Sequence, residues 1–267
     1  MKYFDKKNDR LVFMSEKATS TFWDKHWTDK DLKQSILNGR NDRFVATTTQ
    51  QFINPTKDKK ILEGGCGKGH FVYSLHSKGY TAYGIDYAKK TVHKINSLVP
   101  KLKISLGDVR AIDFPNDYFD GYWSLGVIEH FFDGYGIITK EMHRVIKPGG
   151  YLFLTFPYMS PLRKTKAFLG KYPQFDPNTF DKNSFYQFAL NSKKTQKDLE
   201  ALGFKLIKKK SFDGIKGLKD EVSITKKILQ TIYDSQNIPL QALGFVLSRI
   251  LAPFTSHSML LIFKKND

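Results

Sequence analysis

A chain of 267 residues with 43 basic and 26 acidic side chains, a net charge of +17, is long enough to bury one large α/β core. Its single cysteine, Cys66, excludes an internal disulfide and fits a reducing cytoplasm. No apolar run reaches the roughly 20 residues of a bilayer span, and Met1 to Lys7 lacks the apolar stretch of a signal peptide. In chain order, residues 1–57 read as a helical segment ahead of the first strand. Ser20 to Trp27, Asp31 to Asn38 and Arg43 to Ile53 are its helical stretches, the second closed by Gly39. Trp23 and Trp27, four residues apart, either cover a ligand as a lid or bury one helical stripe.

From Lys60 the pattern alternates. Strands are expected over 59–63, 80–85, 102–106, 119–124 and 150–156, with helices over 68–78, 88–97 and 135–146. Such alternation predicts a parallel sheet with helices on both faces. A helix over 194–202, a strand over 204–212 and a last strand from Met259 to Lys264 complete it.

The most informative stretch is Ile61 to Phe71, in which Glu63 precedes Gly65, Cys66, Gly67 and Gly69. A strand, a glycine turn and a helix, with Asp86 21 residues beyond Gly65, is how an α/β sheet holds a nucleoside cofactor. Glycine admits backbone angles that a Cβ forbids and lets the main chain approach a ligand. The Asp86 carboxylate is placed to accept from both ribose hydroxyls, beside Tyr87. Cys66 in that turn reads as packing, since no base accompanies it.

Gly65-x-Gly67-x-Gly69, with Glu63 before it, resembles motif I of the class I S-adenosylmethionine (SAM)-dependent methyltransferases. Leu106 to Val109 resembles that family's adenine-binding turn, with Asp108 accepting from the amino group and the Val109 backbone reading the ring edge. Tyr118 to His130 resembles its fourth strand and following loop, which brings Ser124, Leu125 and Gly126 to the cofactor. Glu141 to Leu154, with Pro148-Gly149-Gly150, resembles the helix, turn and fifth strand. The resemblance covers Lys60 to Phe156 and implies a seven-stranded, mostly parallel Rossmann-like sheet, an antiparallel edge strand set between the sixth and fifth strands, and SAM as cofactor.

Within that frame residues 1–57 form a lid segment and 58–267 the methyltransferase domain, with insertions over 157–192 and 213–258. His130 is the candidate base, because an imidazole titrates near neutral pH; Glu129 stands beside it, and the pair alternatively only packs the loop. Val127 to His130 resembles the loop of ubiquinone-biosynthesis O-methyltransferases, where glutamate and histidine can help hold a metal. That loop carries a further glutamate where this chain has Gly126, so no metal is expected.

The first insertion holds Arg163, Lys164, Lys166 and Lys171 within nine residues, together with Tyr158 and Tyr186 among its aromatic side chains. It reads as a cap, with Arg163, Lys164, Tyr158 and Tyr186 as candidate acceptor contacts, or as a small core of its own. Arg40 or Arg43 would pair with the methionine carboxylate. In the second insertion Ile224 to Tyr233 is amphipathic, and 239–254 is apolar nearly all round. Three readings stay open for 239–254: a buried helix, a homodimer seam, or an interfacial helix in peripheral contact with lipid.

The expected activity is methyl transfer from SAM to a small-molecule or glycan acceptor. Oxygen of a sugar or anionic glycoconjugate is favoured by a loose likeness to surface-polysaccharide methyltransferases at Phe22 to Trp27 and Ser160 to Arg163. The charge alone suggests an RNA methyltransferase. Against that stand 36 lysines to seven arginines, the absence of an appended RNA-binding module, and the lack of an Asn-Pro-Pro-Tyr-type loop. A SAM-binding module without catalysis is the remaining alternative.

Overall fold

The structure, a computed structural model, describes residues 1–27, 32–235 and 237–267. The expected helix from Asp31 begins outside the described residues; its described part is α2 (Leu32–Asn38). The central elements follow the expected alternation: β3 (Lys60–Gly64), α4 (His70–Ser77), β4 (Thr81–Asp86), α5 (Lys89–Leu98), β5 (Lys103–Leu106), β6 (Phe119–Leu125), α6 (Gly136–Val145) and β7 (Ile146–Pro157). After them come α7 (Pro161–Phe168), β8 (Phe185–Ala189), α8 (Ser192–Glu200), β9 (Phe204–Phe212), α9 (Gly214–Glu221), α10 (Ser223–Asp234), α11 (Ile238–Thr255) and β10 (Ser258–Lys265).

The main sheet has the order β5-β4-β3-β6-β7-β10-β9. β3 to β7 are parallel, and β10 runs antiparallel between β7 and β9, one place in from the edge. Apolar residues occupy both faces of the central strands, as a sheet covered on both sides requires. Leu62, Tyr122, Leu152 and Leu154 enter one core cluster, which includes Met142 of α6. Their neighbours Ile61, Trp123 and Phe153 enter the other, with Val72 of α4 and Ile95 of α5. The Trp123 indole stacks on Phe153 at 4.6 Å and donates to Thr49 Oγ1 at 2.9 Å.

Residues 1–57 depart from the helical reading. Before α1 (Ser20–His26), α2 (Leu32–Asn38) and α3 (Phe44–Gln50), the chain forms a hairpin of β1 (Lys2–Asp5) and β2 (Arg10–Met14). Asp5 accepts from the Asn8 backbone and side chain, and Asp9 turns the chain at φ +46°. β2 pairs with β8, more than 170 residues onward, and buries Leu11 and Val12. That partner is invisible to local periodicity. Pro148-Gly149-Gly150 also lies inside β7, where Gly149 at φ +72° marks an irregularity, instead of separating helix from strand.

The first insertion is broken into α7, a 3-10 turn over 182–184 and β8. Its aromatic residues mostly pack together: Phe180 stacks on Phe132 at 5.2 Å, and Phe185 lies 4.5 Å from Phe188. In the second, α11 is 18 residues long, more than the run read from sequence, and by length and composition alone could cross a membrane. The buried reading of 239–254 is overturned: Thr255 is the single buried residue of α11, and α10 has none. The helices lie over α9 on one side only, Gly214 meeting Ser248 and Leu251 of α11.

Candidate active site

The carboxyl ends of β3, β4, β5 and β6 open into a cleft of about 850 Å³, within the range of sites for small ligands. It is lined by Gly65, Asp86, Tyr87, Asp108, Val109, Leu125, Gly126 and His130, all expected from the sequence. Glycine is required at two points of the turn that borders it. Gly65 has φ +74°, and a Cβ there would meet Val127 at 2.6 Å; Gly69, at φ +71°, would drive one into Ile104 at 2.4 Å.

The cleft fits SAM on several grounds. Asp86 is buried yet faces it, and its oxygens already accept from Gly67 N and Ala88 N at 2.8 Å each. The remaining lone pairs can take two ribose hydroxyls. Burial raises its carboxyl against those backbone donors. Asp108 pairs with Arg110 at 2.6 Å, which holds it below the usual carboxylate range, and offers an acceptor at the mouth. Beneath the turn, Glu63 holds the Val72 amide while its Oε2 finds no hydrogen-bond partner among the described residues, as is true of Ser124 Oγ. Burial first, and then Asp86, raise the Glu63 carboxyl well above its ordinary value. Neither Glu63 nor Ser124, both expected at the cofactor, lines the cleft; both are buried behind the turn. Cys66, Gly67 and Gly69 support the turn without lining the cleft, and burial raises the Cys66 thiol, so this sulfur is packing. Asp86→Ala is expected to weaken SAM binding by about 10- to 100-fold, from loss of hydrogen bonds to a charged acceptor; calorimetry measures it.

α1 forms one wall. Trp23 and Trp27 stack at 5.5 Å and both line the cleft with Lys17 to Ser20. Asp24 holds this helix down by accepting from both Thr91 N and Thr91 Oγ1 at 2.9 Å, and Tyr87 holds the segment ahead of it by donating to Ala18 O at 2.8 Å. Asp24 thereby caps the first turn of α5 from another element. Arg40 and Arg43 do not line the cleft.

His130 ends the turn after β6. Its Nδ1 lies 2.8 Å from the Tyr186 carbonyl, which can only accept, so Nδ1 carries the proton and Nε2 the lone pair. Burial lowers the imidazole to about 4 and keeps it neutral at pH 7. Trp23 meets its ring edge-on at 5.2 Å. Glu129 is buried, its Oε2 lacks a hydrogen-bond partner among the described residues, and burial raises it to about 8. A neutral acid there puts no charge beside the imidazole. Among the described residues no three His, Cys, Asp or Glu side chains converge on a metal position.

The expected acceptor contacts need correction. Arg163 is fully buried and far from any ligand role: its Nε donates to Glu221 Oε1 at 3.0 Å and its Nη1 to Tyr158 O at 2.8 Å. Tyr158 is buried outside the cleft, and Lys164 pairs with Asp9 at 3.6 Å on the surface. Tyr186 touches His130 without lining the cleft. The far end is lined instead by Phe131, Phe132, Ile137, Ile138, Phe185 and Lys182. Phe131 and Phe132 directly follow His130, and that adjacency was the available signal.

A glycine turn at one strand end, an acid at the next and a sheet of this order define the class I SAM-dependent methyltransferase fold. Residues 62–154 match the family model of the methyltransferase domain, a match that implies SAM as the cofactor. It is 26% identical, over 59% of its length and 56% of the relative's, to a probable S-adenosylmethionine-dependent methyltransferase of Mycolicibacterium smegmatis. A ubiquinone biosynthesis O-methyltransferase of Chromobacterium violaceum is 30% identical over 54% of this chain and 61% of its own. The chain thus spans less than two thirds of these relatives. A SAM-dependent methyltransferase structure from Archaeoglobus fulgidus superposes with a TM-score of 0.54 at 20% identity, covering 84% of this chain and 94% of that one.

Proposed function

We propose that the protein transfers a methyl group from SAM to a hydroxyl of a small, ring-bearing acceptor, with His130 as the base. The carrying observation is a neutral imidazole, its tautomer set by the Tyr186 carbonyl, in a cleft that runs from Asp86 to an apolar end at Phe132 and Phe185. Bound SAM supplies a methyl carbon on a positively charged sulfur that leaves as a neutral thioether. The chain's own task is positioning, which can contribute several kcal/mol. Asp86 and the glycine turn hold the nucleoside, while the α1 wall and the Phe131–Phe132 end exclude water. His130 Nε2 takes the hydroxyl proton as oxygen bonds to carbon.

An aromatic wall favours a hydroxylated aromatic ring over the sugar expected from sequence, since among the described residues Lys182 and Lys17 are the cleft's cations besides Arg110. Two lines of relatives support this: proteins named ubiquinone biosynthesis O-methyltransferase and demethylmenaquinone methyltransferase. The anionic glycoconjugate loses its expected contacts with Arg163 buried. The test offers catechols, quinols and hexose uronates with SAM carrying a labelled methyl group, and follows S-adenosylhomocysteine. Turnover with hydroxylated rings is expected; turnover with uronates alone restores the glycan reading, and SAM binding without any product leaves a binding module.

A further inference from the structure

We infer that α10, α11 and the end of α7 form a surface that docks the protein on a bilayer carrying anionic headgroups. Ile224 (86% exposed) and Ile228 stand one turn apart on α10, and Phe245, Val246 and Ile250 face outward from α11. At the end of α7, which packs against α11, Phe168 is 90% exposed and Leu169 lies beside it. A protein surface seldom leaves so many large apolar side chains together without a use.

Charge selects the occupant. Residues 205–257 carry nine basic side chains against four acidic. Of the acids, Asp220 accepts from Lys216, Glu221 is buried under Arg163, Asp213 is largely enclosed, and Asp234, exposed at the end of α10, accepts from Gln230. Lys226 and Lys227 are exposed on α10 beside Ile228. Lys209, on the edge strand beside α11, has its proton affinity lowered by burial and by Lys193 and Lys164, so these cations crowd one another. Two copies meeting through this face would bring like charges together, on chains of +17 each. Phosphate headgroups would instead accept the lysines while the isoleucine and phenylalanine side chains enter the acyl boundary.

Direction within the sheet adds a functional consequence. β9 runs parallel to β7, β6 and β3, because β10 is antiparallel to both of its neighbours. The insertion leaves β9 at its carboxyl end, on the edge of the sheet where the cleft opens. β9 is four strand positions from β3, about 19 Å at ordinary strand spacing. The docking surface and the cleft therefore share one end of the sheet, whatever the acceptor.

The test is flotation of the purified protein with vesicles of phosphatidylcholine alone or with one third phosphatidylglycerol. Binding to the anionic vesicles is expected, at least tenfold tighter than to the neutral ones and weakened by salt. A variant with I228E, F245E and I250E should lose binding by tenfold or more while retaining SAM affinity and the wild-type circular dichroism; K226E with K227E should lose the preference for anionic lipid. Absence of binding to either vesicle overturns the proposal. So does sedimentation showing a dimer that the triple variant dissolves, or retention in cell membranes that resists both salt and alkaline carbonate, which would mean a spanning helix.

Discussion

Replacing Arg163 with leucine is expected to destabilise the folded protein by about 3–5 kcal/mol, measured by urea unfolding. Arg163 has no solvent exposure, and its Glu221 partner is buried too. Around that carboxylate gather Lys2 at 2.7 Å, Lys166 at 3.1 Å and the Tyr172 hydroxyl at 2.7 Å. Leucine removes the Nη1 donor from the Tyr158 and His257 carbonyls, which then keep only their backbone donors, Ser160 N at 2.9 Å and Tyr158 N at 3.1 Å. Lys2 and Lys166 partly offset the lost charge, which favours the lower end of the range. The cluster ties β1, α7 and α9 together, so α7 should loosen with it.

The same cluster predicts acid sensitivity. Burial pushes the Glu221 carboxyl up, but Arg163, Lys2 and Tyr172 prevail and hold it at about 2. A folded value below the unfolded one means stability that is fully present above about pH 4.5 and lost as pH falls toward 2. His257, lowered to about 4 by burial and then by Arg163 and Lys216 against Asp220, adds loss between about pH 6.5 and 4, because the unfolded state takes up its proton first. Wild-type stability should therefore fall in two stages on acidification, and Glu221→Gln should shrink the lower stage, to which Asp220, held low despite burial by His257 and Lys216, also contributes. A midpoint that does not move between pH 6 and 3 would contradict the assignment.

Replacing His130 with alanine is expected to lower kcat by about 100-fold, the low end for general-base catalysis, because an imidazole held near 4 is a weak base. SAM affinity should change little, since Asp86 and the glycine turn carry that interaction. The wild-type rate should show no histidine limb between about pH 5.5 and 8, the base already being deprotonated. A limb near 6.5, lost in the alanine variant, would show that the cleft does not desolvate the ring as the structure indicates. An unchanged rate in His130→Ala would remove its role altogether.

The cofactor half of the site was legible because its signals are local. The turn from Gly65 to Gly69 needs particular backbone angles, Asp86 ends the next strand, and His130 follows β6 within a few residues. The acceptor half was not. Arg163 stands in a basic cluster that reads as a ligand site until Glu221, 58 residues onward, is placed against it. Lys2 reaches the same carboxylate across 219 residues.

By itself the sequence determined the parallel core, the order of its elements from β3 to β7 and the SAM turn, since strand period and glycine conformation are properties of short windows. Tertiary structure alone decided three things. It paired the first hairpin with β8, took Arg163 and Tyr158 out of solvent, and left α11 exposed. Each depends on which distant surface covers a side chain, and local spacing carries no record of that.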